Sequence, residues 1–99
     1  MAAYIVVQVN VHDHAKYEEY KKLTPLSLSA FGGRFIIRGG PTETGEGTWS
    51  PERFVVVEFP DAESARAWWS SDEYAEAKAL RHASAHTEMI LAEGQTGPP

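Results

Sequence analysis

The sequence predicts an α+β domain whose elements follow in the order βαββαβ, with one four-stranded antiparallel sheet and the helices on one face. Two runs, residues 34–38 and 53–59, are rich in aromatic and β-branched residues and bounded by Gly or Pro, as the strands of a hairpin are. Along the chain, one helical run lies between the first strand and this hairpin, and another lies between the hairpin and the last strand. In the split βαβ arrangement the first and third strands then lie in the middle of the sheet.

The hairpin predicts two unlike faces. If it is centred near residue 46, three pairs stand opposite each other: Arg34 with Glu58, Ile36 with Val56, and Arg38 with Phe54. One face, called the dry face below, is then wholly apolar and consists of Phe35, Ile37, Val55, Val57 and Phe59. The other face is apolar but carries the charges of Arg34, Arg38 and Glu58. The two faces of this hairpin must therefore pack against different partners.

The N-terminal part predicts a strand and a helix. Residues 4–11 alternate, with Ile5, Val7, Val9 and Val11 on the side of the dry face. Asp13 is placed as a helix N-cap, and Tyr17 and Tyr20 recur at helical spacing. Pro25 interrupts this helix, so we expect a kink or a restart at Thr24 and an end at Gly32.

The C-terminal half predicts a loop, two short helices and a last strand. Residues 39–51 form a long exposed loop, and Trp49 is expected to fold back onto the body or onto a partner. Asp61 caps a helix with Trp68 and Trp69, and the Ser70-Ser71 pair opens another. The apolar positions of this second helix are predicted to be Tyr74, Ala75, Ala79, Leu80 and Ala83. Residues 87–93 are the last strand. We expect residues 1–94 to form a single domain and 95–99 a flexible tail.

Composition limits the class of protein. The chain has 99 residues, 42% hydrophobic and 23% charged, which is typical of one globular domain. It has no cysteine, which excludes disulfides, thiolate metal sites and Cys nucleophiles. The net charge of −5 argues against nucleic-acid binding, and no apolar run is long enough to cross a membrane. We expect a cytoplasmic protein.

The predicted helices cover only the dry face of the sheet. The open face presents mostly apolar side chains, namely Tyr4, Val6, Gln8, Ile36, Arg38, Phe54 and Val56. This surface is too apolar to leave in water. A second copy of the chain is the simplest cover, which predicts a homodimer with two sheets packed face to face.

Several motifs carry a resemblance to a known family. They are GGRFIIRGG (32–40), Glu46-Gly47 with Trp49, Pro51 and Arg53, VEFP (57–60), and the run from Ala67 to Arg81 with Trp68, Ser71, Glu73, Tyr74, Ala77 and Leu80. Over residues 4–94 the sequence resembles the ferredoxin-like dimeric α/β-barrel superfamily and, within it, a bacterial family of unknown function. The resemblance implies the fold and dimerisation. It supplies no catalytic residue, because the superfamily ranges from cofactor-independent monooxygenases and isomerases to haem-binding and ligand-sensing proteins.

This sequence departs from the family pattern at two places. The loop residues 42–45 are more polar than usual, and Trp68 precedes Trp69 where one aromatic residue is expected.

The charges inside the hairpin strands have two interpretations. In the structural one, Arg34 pairs with Glu58 across the strands and Arg38 meets the partner subunit. In the functional one, Arg38 binds a carboxylate or enolate, and Glu58 acts as a base or orients water. Buried charges are costly without partners, and a planar guanidinium suits carboxylate recognition. We therefore name Arg38, Glu58 and Arg34 as candidate ligand-binding residues.

Aromatic residues on the helices are the next candidates. Five of them are placed to line a cleft between helices and sheet, or simply to fill the core: Tyr17, Tyr20, Trp68, Trp69 and Tyr74. Two adjacent tryptophans cannot both point inward from one helix. One of them therefore faces a groove, the loop or the partner. We name Tyr20 and Trp69 as ligand-binding candidates.

Other chemistries find little support in the sequence. His82 and His86 are four residues apart on a predicted helix, but a third ligand and a general base are missing, so we expect no metal and no organic cofactor. His82 as a general base, and haem binding through one of the four histidines, are open alternatives. No phosphate-binding glycine motif and no nucleophile elbow occurs.

The sequence thus predicts a small homodimer that binds a small anionic or aromatic metabolite. Whether it also converts this metabolite without a cofactor, in the manner of a monooxygenase or isomerase, is left open by the sequence. The alternative is a non-catalytic ligand-sensing or scaffold dimer, in which Arg and Glu only fasten the interface.

Overall fold

The computed structural model describes residues 1–95 and contains four strands and three helices in the predicted order. Their bounds are β1 (Ala3–Val11), α1 (His14–Ser29), β2 (Arg34–Arg38), β3 (Arg53–Phe59), α2 (Ala62–Trp69), α3 (Asp72–Ser84) and β4 (Ala85–Glu93). The strands form one antiparallel sheet in the order β2-β3-β1-β4, so the first and third strands are central, as predicted. This is the ferredoxin-like α+β fold. Apart from Gln95, the predicted tail lies outside the described residues.

The core lies between the helices and one face of the sheet. Ile5, Val7 and Val9 on β1 are at most 6% exposed, whereas the residues between them are only partly buried. The helices contribute the larger buried side chains, Tyr17, Leu28, Trp68 and Tyr74. The predicted dry face is therefore the one that the helices cover. Within residues 1–95, no helix has both the length and the apolar character needed to cross a membrane.

The three predicted helix caps are confirmed. The Asp13 carboxylate accepts a hydrogen bond from the Lys16 amide at 3.2 Å, and the Asp61 carboxylate accepts one from the Ser64 amide at 2.7 Å. At the start of α3, Ser71 Oγ accepts from the amide of residue 74 at 3.2 Å. Each cap satisfies one of the amides that a helix N-terminus leaves without a backbone acceptor.

Helix α1 continues through Pro25, so the predicted restart at Thr24 is wrong. A proline has no N–H to donate to the carbonyl four residues earlier, which here is the carbonyl of Lys21. Arg38 from strand β2 takes that place, and its Nη2 donates to the Lys21 oxygen at 3.1 Å. The carbonyl that Pro25 leaves free is thus satisfied by a residue from the sheet.

Strand β2 contains a bulge that changes its predicted register. Arg34 pairs with Glu58 as predicted, but one extra residue is accommodated at Ile36. Two predicted pairs are therefore wrong, because Ile37 lies opposite Val56, and Arg38 lies opposite Val55 in place of Phe54. Since side chains alternate between faces, the bulge moves Arg38 to the helix-covered face and Ile37 to the open face.

Helix α3 and strand β4 also differ from the prediction. The buried face of α3 consists of Tyr74, Ala77, Arg81 and Ser84, and the alanines 75, 79 and 83, predicted as apolar contacts, are exposed. Strand β4 begins at Ala85, directly after the helix. His86 therefore lies in the strand and not on the helix with His82, so the spacing predicted for a metal pair is absent.

The open face carries an apolar row across all four strands. Ile37, Val56, Val6 and Ile90 stand next to one another in the register of the sheet. Ile37 and Ile90 are 40% and 64% exposed. Trp49 from the long loop folds back onto this face, where its indole N–H donates to Gln8 Oε1 and its ring meets Phe54 edge-on at 5.8 Å. The prediction that Trp49 folds back onto the body is confirmed.

Candidate functional site

A narrow cavity lies between the helices and the covered face of the sheet. Its volume is about 20 Å³, room for about one water molecule. Valines 7, 55 and 57 and the side chain of Trp68 form apolar walls. Four basic residues also line it, Lys21, Arg38, Arg53 and Arg81, whereas no Asp or Glu does. Lys21 is paired with Glu18 at 2.8 Å, but none of the three arginines forms an ion pair within residues 1–95.

Arg53 is held at the cavity by a tyrosine and a glycine. Its Nε donates to Tyr17 Oη at 3.1 Å, and its guanidinium lies 5.5 Å from the centre of the same ring. Gly39 has a φ of +74°, and a Cβ at this position would come within 2.3 Å of Arg53 Nη1. A side chain at residue 39 would therefore displace the guanidinium.

Arg38 lies beside the cavity with its charge toward solvent. Its guanidinium carbon sits 4.3 Å above the Phe35 ring, a cation–π geometry, and Nη2 is bonded to the Lys21 carbonyl. The residue as a whole is exposed. Both contacts restrain the side chain without neutralising it, so it is available to an incoming anion.

Tyrosine hydroxyls supply neutral donors next to the arginines. Tyr20 Oη and Tyr74 Oη are 3.1 Å apart, and Tyr20 lines the cavity while Tyr74 is fully buried. Burial raises the pKa of Tyr74 far above its usual range, and the neighbouring Tyr20 raises it further. Burial also raises the pKa of Tyr17, against the opposing effect of Arg53. Tyr17 and Tyr74 therefore stay protonated and can donate hydrogen bonds.

Arg81 is a buried cation at the inner part of the cavity. Only 2% of the residue is exposed. Its Nη2 lies 3.0 Å from His82 Nε2, and its guanidinium carbon lies 5.2 Å from the Trp69 ring centre. The other two guanidinium nitrogens, Nε and Nη1, have no hydrogen-bond partner among the described residues. Burial, then the charges of Arg81 and Lys78, lower the pKa of His82, which favours the neutral imidazole that accepts from Arg81.

The structure brings together only part of the predicted set. Arg38 and Tyr20 line the cavity, as do Tyr17 and Trp68. Trp68 is buried and Trp69 is half-buried beneath Lys78, so Trp69 reaches the site only through its contact with Arg81.

Arg34 and Glu58 lie on the opposite face of the sheet. Arg34 Nε donates to Glu58 Oε1 at 2.8 Å, in the cross-strand pair of the structural interpretation. The predicted pocket that combines Arg38 with Glu58 is therefore not formed within one protomer, because the bulge places these two residues on different faces.

Arg53 and Arg81 were not predicted as site residues. Arg53 shares the alternation of Val55 and Val57, which indicates the covered face. Arg81 is seven residues after Tyr74, on the same side of α3. Both signals are present in the sequence, but basic residues at a strand start and at a helix end are usually exposed. Within residues 1–95 there is no group of three or more His, Asp or Glu side chains able to hold a metal ion.

Solved structures with the same fold are known. A protein of unknown function from Rhodopseudomonas palustris has a TM-score of 0.78 and 14% identity, covering 97% of this chain and 84% of its own. SnoaB, a cofactor-independent oxygenase from Streptomyces nogalater, has a TM-score of 0.67 and 16% identity, covering 99% and 97%. A dimeric ferredoxin-like protein of unknown function from Jannaschia sp. CCS1 has a TM-score of 0.71 and 14% identity, covering 95% and 100%. At these identities the similarity shows the fold alone.

The family is shown by the sequence itself. A search of curated proteins found no match. Residues 2–95, nearly the whole chain, match the model of the family described as Domain of unknown function (DUF1330), and the chain belongs to this family.

Proposed function

We propose that the protein is a homodimer that binds a small anionic or aromatic metabolite in the cavity between its helices and its sheet. The observation that carries this proposal is the lining of the cavity, where three arginines without an ion pair meet two tyrosines. The chain as a whole has a net charge of −5, so this local excess of positive charge is opposite to the average of the protein. A positive, partly apolar cleft selects for anions that also carry apolar surface.

The cavity as it stands is smaller than a metabolite. Its side is lined by Arg38, whose long side chain is exposed and is fixed by only one hydrogen bond and one ring contact. Movement of this side chain would widen the entrance and at the same time bring its charge to the ligand. A ligand that enters would therefore be held by Arg38 and by the hydroxyls of Tyr17 and Tyr20.

Dimerisation through the open face is the second part of the proposal. The apolar row Ile37, Val56, Val6 and Ile90 lies on the side of the sheet without helices. A second copy would bury this row against its own equivalent, as two-fold symmetric interfaces do. The dimeric neighbour from Jannaschia supports this arrangement, because it shares the fold over 95% of this chain.

Conversion of the ligand without a cofactor is the catalytic form of this proposal. SnoaB shows that this fold supports oxygenation without a cofactor in another protein. Here the arginines and the neutral tyrosine hydroxyls are suited to stabilise an enolate or phenolate that forms during such a reaction. The non-catalytic sensing or scaffold dimer is the alternative. The Arg34–Glu58 salt bridge favours it, because these two predicted site residues bind each other and not a ligand.

The test is a thermal-shift screen of metabolites followed by one pair of variants. Arg38→Ala is expected to keep the dimer and to abolish the shift produced by an anionic hit. Arg66→Ala is the matched control, because it removes an exposed arginine of α2 that lines neither the cavity nor the open face of the sheet. A shift of the monomer–dimer balance in Arg38→Ala, without any ligand found for the wild type, would favour the scaffold alternative.

A further inference from the structure

Arg81 is a buried cation whose environment is incomplete. It is 98% buried, yet two of its three guanidinium nitrogens have no partner among residues 1–95. Transfer of a charged group from water into a protein is strongly unfavourable unless the charge is paired and its donors are satisfied. Buried polar groups without partners are rare in folded proteins and usually indicate a bound water or ion.

The groups around Arg81 do not neutralise it. His82 Nε2 accepts from Nη2 at 3.0 Å, and Trp69 offers its ring face at 5.2 Å, but both are uncharged. Lys78 lies 4.4 Å from the same Trp69 ring and adds positive charge. Tyr17, Tyr20 and Arg53 line the same cavity as Arg81, and none of them is an anion.

We infer that Arg81 binds the negatively charged end of the ligand, and that this end is a carboxylate attached to a planar or ring-shaped apolar body. This inference rests on the proposed function and identifies the chemical class that the cavity selects. A guanidinium is planar and offers several N–H donors, which suits the two oxygens of a carboxylate. The free nitrogens Nε and Nη1 are the donors that such a group would use.

The cavity marks the position of the charged end but must widen to admit it. A volume of about 20 Å³ has room for about one water molecule, so a carboxylate at Arg81 requires side chains that line the cavity to move. The walls beside it, Val55, Val57 and Trp68, are apolar and suit a hydrocarbon body. The charge would then lie at the buried Arg81, and the body would extend toward the exposed Arg38.

Benzoate and benzamide provide a direct test, since they share a ring and differ in charge. Binding to the full-length wild-type protein is measured by thermal shift and calorimetry at constant ionic strength. We expect benzoate to bind at least about tenfold more tightly than benzamide, because only the carboxylate pairs with the guanidinium. Arg81→Met keeps an unbranched apolar stem and removes the charged guanidinium, and it is expected to abolish this preference. Arg66→Met on the exposed surface of α2 is the matched control and should leave the preference unchanged.

Arg81→Met also separates a binding role from a structural one. If Arg81 serves only to stabilise the fold, its loss lowers the melting temperature. If Arg81 has no anionic partner until a ligand binds, removal of its unpaired buried charge leaves the melting temperature of the free protein unchanged or raises it. Should this variant fail to fold, NMR of the arginine Nε–H signals of the wild type replaces it. One protected Nε–H signal should then shift with benzoate and not with benzamide.

The outcomes distinguish this inference from the proposed function. Equal binding of benzoate and benzamide would overturn the role of Arg81 while leaving an aromatic-binding cavity. A preference for benzoate that persists in Arg81→Met would also overturn it and would assign charge recognition to Arg38 or Arg53. If neither compound binds and no metabolite of the screen binds either, the proposed function fails as well, and a water molecule is the partner of Arg81.

Discussion

The two faces of the sheet use the same strands for different purposes. On the covered face, the side chains of β1 and β3 are closed over by three helices, and three arginines and two tyrosines are gathered at one cavity. On the open face, a row of four aliphatic residues crosses the sheet, Arg34 pairs with Glu58, and Glu88 stands opposite Gln8. The unpaired arginines thus line a cavity, whereas the apolar row lies where a second copy of the chain can cover it.

The largest effect is expected from truncating a side chain on the covered face. Trp68 is 2% exposed, packs against Phe59 and Tyr74, and donates its N–H to Ser27 Oγ at 3.0 Å. Trp68→Ala should lower the free energy of unfolding by about 3–5 kcal/mol, as measured by urea denaturation. Trp49→Ala on the open face is the comparison, and it should change the stability of the protomer by less than about 1 kcal/mol. Equal losses would mean that the two faces do not differ in this way.

Self-association should be the property most sensitive to the open face. Ile90 is 64% exposed in the protomer, so Ile90→Glu costs little in folding but places a charge within the proposed interface. The dissociation constant of the dimer should rise at least about tenfold, equivalent to about 1.4 kcal/mol, as measured by sedimentation. Ala79→Glu on the exposed side of α3 is the control and should leave association unchanged. A dimer that survives Ile90→Glu would place the interface elsewhere.

Pro25 links the helices to the edge of the sheet, and its replacement gives a smaller effect. Pro25→Ala supplies the missing N–H, which should bond to the Lys21 carbonyl in competition with Arg38. We expect the free energy of unfolding to change by about 1 kcal/mol or less, because the gain in helix propensity is offset by the greater freedom of the unfolded chain. Arg38 should become more mobile, which NMR relaxation of its side chain would detect. An unchanged Arg38 would mean that the Phe35 contact alone holds it.

The smallest effect concerns pH. The pKa of His82 is lowered from its usual 6.5 by burial and by Arg81 and Lys78. The unfolded chain therefore binds the proton more tightly, and the stability that the neutral imidazole provides at neutral pH is lost as the pH falls below about 6.5. His82→Gln should remove this component from the pH dependence of thermal unfolding. His86→Gln in strand β4 serves as the control. Because His82 is only slightly buried and the residue as a whole is exposed, the difference should be small.

The fold could be predicted because its signals are local. Single elements and their boundaries are each specified by nearby residues. Examples are the alternation in β1, the caps at Asp13 and Asp61, and the glycines and prolines between elements. The sequence did not determine which of the two adjacent tryptophans is buried, because either could lie on the inner side of α2. The structure buries Trp68 and leaves Trp69 half-buried.

The site was harder to predict because three of its determinants are not local. The bulge at Ile36 depends on how the hairpin closes, and no residue type marks it. The continuity of α1 through Pro25 depends on Arg38, which is distant in the sequence. The buried position of Arg81 is obscured by alanines 75, 79 and 83, whose spacing resembles an apolar face although they are exposed.

The bulge has a consequence for how this strand tolerates changes in length. It holds one residue more than the ladder needs, so a chain lacking Ile36 would still set Ile37 against Val56 and Arg38 against Val55. Deletions inside strands normally turn every later side chain to the wrong side. Here the shorter strand would keep both surfaces intact. A strand that retained Ile36 but lost the bulge would instead place Arg38 on the open face and Ile37 beside the cavity.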